Sequence, residues 1–314
     1  MSESAVEDPS VDIRMVVGFL VLAFAISWGG LAVLHAVGVD IRRTTGQGLG
    51  SLIFMGAPAI AAIAILRFRR VPIRSGTGLY LGRIRWIALA WLAPGVLTAA
   101  MVGIGLVLPG VEFSTDYTAF LLELGFTEGE AVTTIAELEA NAVPVIVILV
   151  GLGLVLGATL FALAAFGEEL GWRGLLLTAL APLGFWKLSL VTGLIWGIWH
   201  APLILLGLQF PEDPVVGIFT MIVATVAWSP IYTYLTVRAR SVLAATFFHG
   251  SFFLSTFTSV FLLGGSELIV SPFGFIGIAA ALLGLIACVT HDRFRADEQI
   301  TTGKPLNPWS KTNV

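Results

Sequence analysis

The chain has 314 residues, 57% of them hydrophobic and only 12% charged, with a formal net charge of −3 and a mean hydropathy of +0.95. A soluble domain carries about a quarter charged residues, so this chain cannot cover a water-facing surface, and lipid is the solvent for most of it. The lone cysteine, Cys288, excludes an intrachain disulfide and reads as a small buried hydrophobe.

A helix needs about 20 apolar residues to cross a bilayer. Runs of that kind occupy residues 12–37, 50–68, 86–108, 143–166, 188–208, 214–236, 242–263 and 270–290. They predict an all-α, polytopic membrane helix bundle with about eight transmembrane helices. The first run follows an acidic N-terminus and is too long for a cleaved signal peptide. The fourth is expected to continue as helix through the charged stretch 167–180. Gly18, Gly56, Gly103, Gly151 and Gly157 read as packing positions, because small residues let helix backbones approach closely in lipid. The layout is then a cytoplasmic N-terminal tail (1–11), N-terminal spans with an external acidic loop (12–142), a core of spans carrying buried charge (143–290), and a cytoplasmic, polar C-terminal tail (291–314) expected to be disordered.

Charge bias orients the chain. With the N-terminus in the cytoplasm, Arg67, Arg69, Arg70, Arg74, Arg83 and Arg85 fall in one inner loop, and Lys187, Arg238, Arg240, Arg293, Arg295, Lys304 and Lys311 also fall inside. Arg42 and Arg43 fall outside. The loop between the third and fourth spans holds Glu112, Asp116, Glu123, Glu128, Glu130, Glu137 and Glu139 without a basic residue, and it is expected outside. Its apolar positions Phe120, Leu121, Leu124 and Phe126, then Ile135 and Leu138, predict a surface-lying amphipathic helix. An integral membrane protein of the plasma membrane with both termini inside fits this pattern. The basic loop is a topology signal, and nucleic acid is not an expected partner.

Ionisable groups inside spans are costly and usually face a working site. The main cluster is Phe166-Gly167-Glu168-Glu169-Leu170-Gly171-Trp172-Arg173-Gly174. On a helix, Glu169 and Arg173 are four apart with the carboxylate N-terminal, the favourable order for an ion pair. Arg173 cannot discharge by losing its proton. With Glu169 as its partner, Glu168 points about 100° away and is left to accept a proton from water. His200 lies in the fifth span, one turn after Trp196 on the same face, and His249 lies early in the seventh. Counted at 1.5 Å per residue, the three groups can meet about 10–18 Å below the inner face. His35 and His291 read as interfacial. There is no His-Glu-x-x-His, phosphate loop, Cys/His cluster or Gly-x-Ser-x-Gly.

A Glu-Glu-x-x-x-Arg motif, a histidine after an aromatic residue and a later histidine, all in a multi-spanning chain, resemble the CAAX-processing and bacteriocin-processing (CPBP or Abi) intramembrane endopeptidases. The resemblance covers roughly residues 145–290, and makes 143–290 a CPBP-like catalytic core. It implies hydrolysis of a peptide bond in a membrane-associated substrate, a peptide or protein that is prenylated or leader-bearing. Glu168 and His200 would hold and activate the water, His249 would stabilise the oxyanion, and Glu169 with Arg173 would brace the helix. A metal-free site is the reading preferred; the alternative is zinc held by Glu168, His200 and His249 with an open position. Trp196 stands where the family commonly has Phe. Phe253 stands where it often has Asn, a second oxyanion donor, and it cannot donate. That substitution keeps a catalytically impaired family member, acting as a binding or immunity protein, open as an alternative. A proton-coupled transporter is a third class, although no inverted repeat of broken helices is present.

Overall fold

The computed structural model describes residues 10–114, 117–118, 121, 126–140 and 145–310. They form an all-α membrane helix bundle. Six helical stretches are long and apolar enough to cross a membrane, namely 13–36, 45–68, 84–105, 160–205, 214–239 and 267–294, and shorter apolar helices complete the fold. The main elements are α1 (Ile13–Ala36), α2 (Thr44–Phe68), α3 (Ile84–Gly105), α4 (Glu128–Glu139), α5 (Val145–Ala158), α6 (Leu160–Glu169), α7 (Gly184–Trp199), α8 (Pro214–Ala239), α9 (Val242–Phe252) and α10 (Phe275–Phe294). Large apolar side chains such as Leu52, Val96, Leu163, Phe219 and Ile286 are exposed, while Glu168, Glu169, Arg173 and Asp292 are buried. That inverted distribution is what a lipid solvent selects. Some hydroxyls inside the spans donate back to carbonyls one turn earlier, as Ser27 does to Ala23 at 2.8 Å and Thr98 to Pro94 at 2.8 Å, which satisfies them without water.

The stretch 160–205 is a hairpin. If it were one straight helix, Glu168 and Trp196 would stand about 42 Å apart, yet their side chains are hydrogen-bonded at 3.2 Å. The reversal falls at Gly184, whose φ of +74° suits a residue without Cβ. On the descending arm, α6 runs into a π-helical turn, Leu170–Leu176, and then Leu177–Leu180. Helix therefore does continue through 167–180, but the fourth apolar run is broken at Thr159 between α5 and α6. The seventh run is not one straight span either. It breaks into the helix Val242–Phe252, a 3₁₀ turn, Phe253–Phe257, and a short helix, Thr258–Phe261, after which β2 (Leu262–Leu263) pairs antiparallel with β1 (Glu112–Phe113). The pairing draws the end of that run into an extended strand, and Gly264 and Gly265 at positive φ turn the chain after it.

Both described chain ends gather at one end of the bundle. Asp12 pairs with Arg69, and Arg83 N–H donates to the Ala239 carbonyl at 2.7 Å. The segment after α10, expected to be disordered, is instead folded across this end. The Asp292 carboxylate accepts from the Ile300 and Thr301 amides and from the Thr301 hydroxyl. Leu306 N–H reaches the Ala181 carbonyl at 2.8 Å, and the Trp309 indole donates to the Thr178 hydroxyl at 2.9 Å. Polar composition hid this because a buried carboxylate, rather than an apolar stripe, anchors the segment. In the outer loop, α4 forms with a capping box between Thr127 and Glu130. Asp116, Phe120, Glu123 and Leu124 lie outside the described residues.

Helix contacts at the core run through glycines. A Cβ at Gly171 would lie 2.5 Å from the Pro58 side chain of α2, and one at Gly250 would lie 2.3 Å from the Gly157 carbonyl oxygen of α5. Gly250 follows His249, so this close approach sets the depth of that histidine. Gly250→Ala is therefore expected to destabilise the protein by about 1–3 kcal/mol through overpacking against backbone. Gly29→Ala, where nothing lies within 4 Å of the added methyl, should leave the midpoint unchanged. Thermal unfolding of both variants in detergent checks the contrast; equal midpoints would remove Gly250 as a contact point.

Candidate active site

Four elements converge below the basic end of the bundle. α6 and the π-turn bring Glu168, Glu169 and Arg173; α7 ends on His200 with Trp196 one turn before it; α8 contributes Tyr232; α9 contributes His249. Glu168 is 3% exposed, Glu169 0%, Arg173 1% and His200 7%. His249 is the most accessible of these side chains, with 17% exposed.

Arg173 organises the cluster. Its Nη1 donates to both oxygens of Glu169, each at 3.1 Å. Its guanidinium carbon lies 4.4 Å from the Trp196 ring centre and 4.2 Å from that of Tyr232. Burying a guanidinium without a partner is prohibitive, and here one carboxylate and two ring faces share the task; desolvated cation–π contacts contribute about 2 kcal/mol or more. The ion pair anticipated from the i, i+4 spacing is present. It is more than a brace on one helix, because Glu169 Oε1 also lies 2.7 Å from His249 Nδ1. A carboxylate held against Arg173 is an acceptor, so His249 Nδ1 is the donor in this bond. His249 Nε2 is then a donor only in the imidazolium form.

Glu168, close to this pair, is hydrogen-bonded elsewhere. Its Oε2 accepts a hydrogen bond from Trp196 Nε1 at 3.2 Å. A phenylalanine at position 196 would have no such donor, so the tryptophan adds a hold on the free carboxylate. His200 Nδ1 lies 2.8 Å from the Trp196 carbonyl oxygen. A carbonyl only accepts, so Nδ1 carries the proton, and Nε2 of the neutral ring is left with a lone pair for a water hydrogen. Both histidines pack edge-on against the Trp196 indole, with ring centres 5.6 Å away for His200 and 5.9 Å for His249. The structure thus brings together all five expected residues, with Trp196 between them.

Ligand atoms from Glu168, Glu169 and His249 lie within 4.8 Å of one another. The trio expected for zinc had His200 in place of Glu169. In the group found, Glu169 and His249 are already bonded to each other and Glu169 to Arg173, so a cation there would compete with an internal cation for the same oxygens.

Two buried polar groups were not anticipated. Tyr232 is 1% exposed, its ring centre is 5.9 Å from that of His249, and its hydroxyl has no hydrogen-bond partner among the described residues. Asp292, 0% exposed and paired with Arg238, follows the histidine read as interfacial. Phe253 stacks on Phe161 of α6, with ring centres 3.8 Å apart, and serves as packing between α6 and the end of α9.

Fold and site define an integral membrane protein with a buried carboxylate–histidine centre. Residues 150–255, which contain all of these site residues apart from the Asp292 pair's carboxylate, match the family model described as type II CAAX prenyl endopeptidase Rce1-like. That match, over residues 150–255, is to the CPBP/CAAX protease family and covers less than half of the chain. No curated protein matches the chain.

The bonding pattern separates the two glutamates by experiment. Glu169→Gln removes the charge opposing Arg173 and leaves one amide oxygen where two carboxylate oxygens served Arg173 and His249; leaving such a charge uncompensated costs about 3–5 kcal/mol. Glu168→Gln, which disturbs one hydrogen bond from Trp196, should unfold within about 1 kcal/mol of the parent. Unfolding in detergent measures both, and equal losses would contradict the division.

Proposed function

We propose that this chain is an intramembrane endopeptidase in which Glu168 activates the attacking water. The observation that carries this reading is the unequal engagement of adjacent carboxylates: Glu169 is held by Arg173 and His249, whereas Glu168 meets one indole N–H. Glu168 takes a proton from water while the His200 Nε2 lone pair holds the other hydrogen. The water oxygen attacks the scissile carbonyl carbon, and the developing oxyanion receives hydrogen bonds. Collapse breaks the C–N bond, and Glu168 returns its proton to the leaving nitrogen.

His249 as an imidazolium is one oxyanion donor in this reading. The second, absent at Phe253, is the Tyr232 hydroxyl. It is buried, unpartnered among the described residues, and its ring lies beside His249. A metal-free mechanism is favoured by the donor set, since both Glu169 oxygens already face Arg173. Substrates of this site are membrane-associated peptides, prenylated at the C-terminus or leader-bearing. Phe253 favours a second reading, a catalytically impaired binding protein, and the two readings differ in whether any Glu168-dependent cleavage occurs.

Glu168→Ala and His200→Ala should each abolish cleavage of a prenylated peptide by the purified protein in liposomes while thermal unfolding stays near the parent's. Cleavage that survives Glu168→Ala removes the base assignment, and no cleavage by the parent favours the binding protein. Tyr232→Phe should lower kcat by about 10²–10³ with little change in KM, the usual effect of deleting one oxyanion donor. An unchanged kcat would return Tyr232 to a packing role against Arg173.

A further inference from the structure

Away from the peptidase site, the basic end of the bundle contains a cavity of about 840 Å³. Its wall is assembled from three distant parts of the chain: Arg83 and Arg85 at the start of α3, Arg238 and Arg240 at the end of α8, and Arg295 just after α10. Asp297 and Glu298 are the acidic residues in the wall, so cations predominate in a chain whose net charge is negative. The arrangement is built into the backbone. Arg83 N–H is bonded to the Ala239 carbonyl, and Arg240 adopts a left-handed φ of +55° that turns the chain at the rim. Arg238 is 7% exposed and paired with Asp292, and its Nε has no hydrogen-bond partner among the described residues. Burial, then the charges of Arg240, Arg85 and Arg238, hold the Arg83 guanidinium's pKa below its ordinary value. The arginines therefore repel one another, and an entering anion relieves that repulsion.

The cavity is not surrounded by water alone. Trp86 and Leu89 of α3 also line it, and Leu89 begins an exposed apolar stripe that continues through Leu92 and Val96, positions that share one helix face. A ligand with an anionic head and a hydrocarbon chain matches both parts, whereas a soluble anion uses only the first. We infer that this cavity binds the phosphate headgroup of an anionic phospholipid, with an acyl chain lying along Leu89, Leu92 and Val96. The charge bias that places this end in the cytoplasm also places it against the leaflet where anionic lipids attract basic pockets between helices.

The test uses the full chain, delipidated in an uncharged detergent, with phosphatidylglycerol, phosphatidylcholine of the same acyl chains, or inorganic phosphate added. Thermal midpoint and lipid retained in native mass spectra are read together. Phosphatidylglycerol should raise the midpoint saturably and remain bound, and phosphatidylcholine should do neither. In Arg85→Gln/Arg295→Gln, whose side chains are exposed, the unliganded midpoint should stay the same while apparent affinity falls by about thirtyfold, the effect of losing two near-surface cations at roughly fivefold each. Arg83→Gln/Arg240→Gln should show a larger loss, and the exposed pair decides if that variant does not fold. Equal binding of phosphatidylcholine, or parent-like affinity in the exposed pair, would overturn the proposal. Stabilisation by inorganic phosphate equal to that by phosphatidylglycerol would overturn the lipid as its source.

Discussion

The buried guanidinium of Arg173 organises the interior around the candidate site. Arg173 cannot shed its charge, and the hydrocarbon around the bundle offers nothing to solvate it. Its partners come from four directions: Glu169 from the preceding turn, the Trp196 face from α7, the Tyr232 face from α8 and, through Glu169, His249 from α9. Meeting that charge thus fixes four helices relative to one another. It also assigns the adjacent glutamates different surroundings, and the proposed chemistry follows from that difference.

The helices reach this geometry because small residues let them. Lipid provides no hydrophobic drive between helices, so close packing must supply the contact energy. Gly171 against Pro58 and Gly250 against Gly157 bring backbones together on either side of the cluster. The π-turn at Leu170–Leu176 widens the helix where Arg173 projects, a distortion that recurs at functional sites. Packing and electrostatics are coupled here: moving α9 by one methyl group would change the 2.7 Å bond between Glu169 and His249.

Much of this was legible in the chain itself. Hydropathy alone indicates the helical membrane bundle, and the Glu169–Arg173 spacing indicates the ion pair, because both depend on local periodicity. The bond from Glu169 to His249 spans 80 positions and has no local signature. Tyr232 sits in an apolar run where an aromatic residue is unremarkable; only its neighbours make its hydroxyl notable. The folded segment after α10 was missed for a similar reason. Asp292 holds it through backbone amides at Ile300 and Thr301, and amides are invisible to residue composition. The hairpin at Gly184 falls between the fourth and fifth apolar runs, 143–166 and 188–208, which composition already separates.

In the proposed function a carboxylate, rather than a metal, activates water at this site. The most direct measurement is the rate at which the full chain cleaves a membrane-inserted peptide after exhaustive chelation, with the metal content of the same sample determined. The account predicts an unchanged rate with far less than one equivalent of metal. A rate that falls to background on chelation and returns with zinc would contradict it.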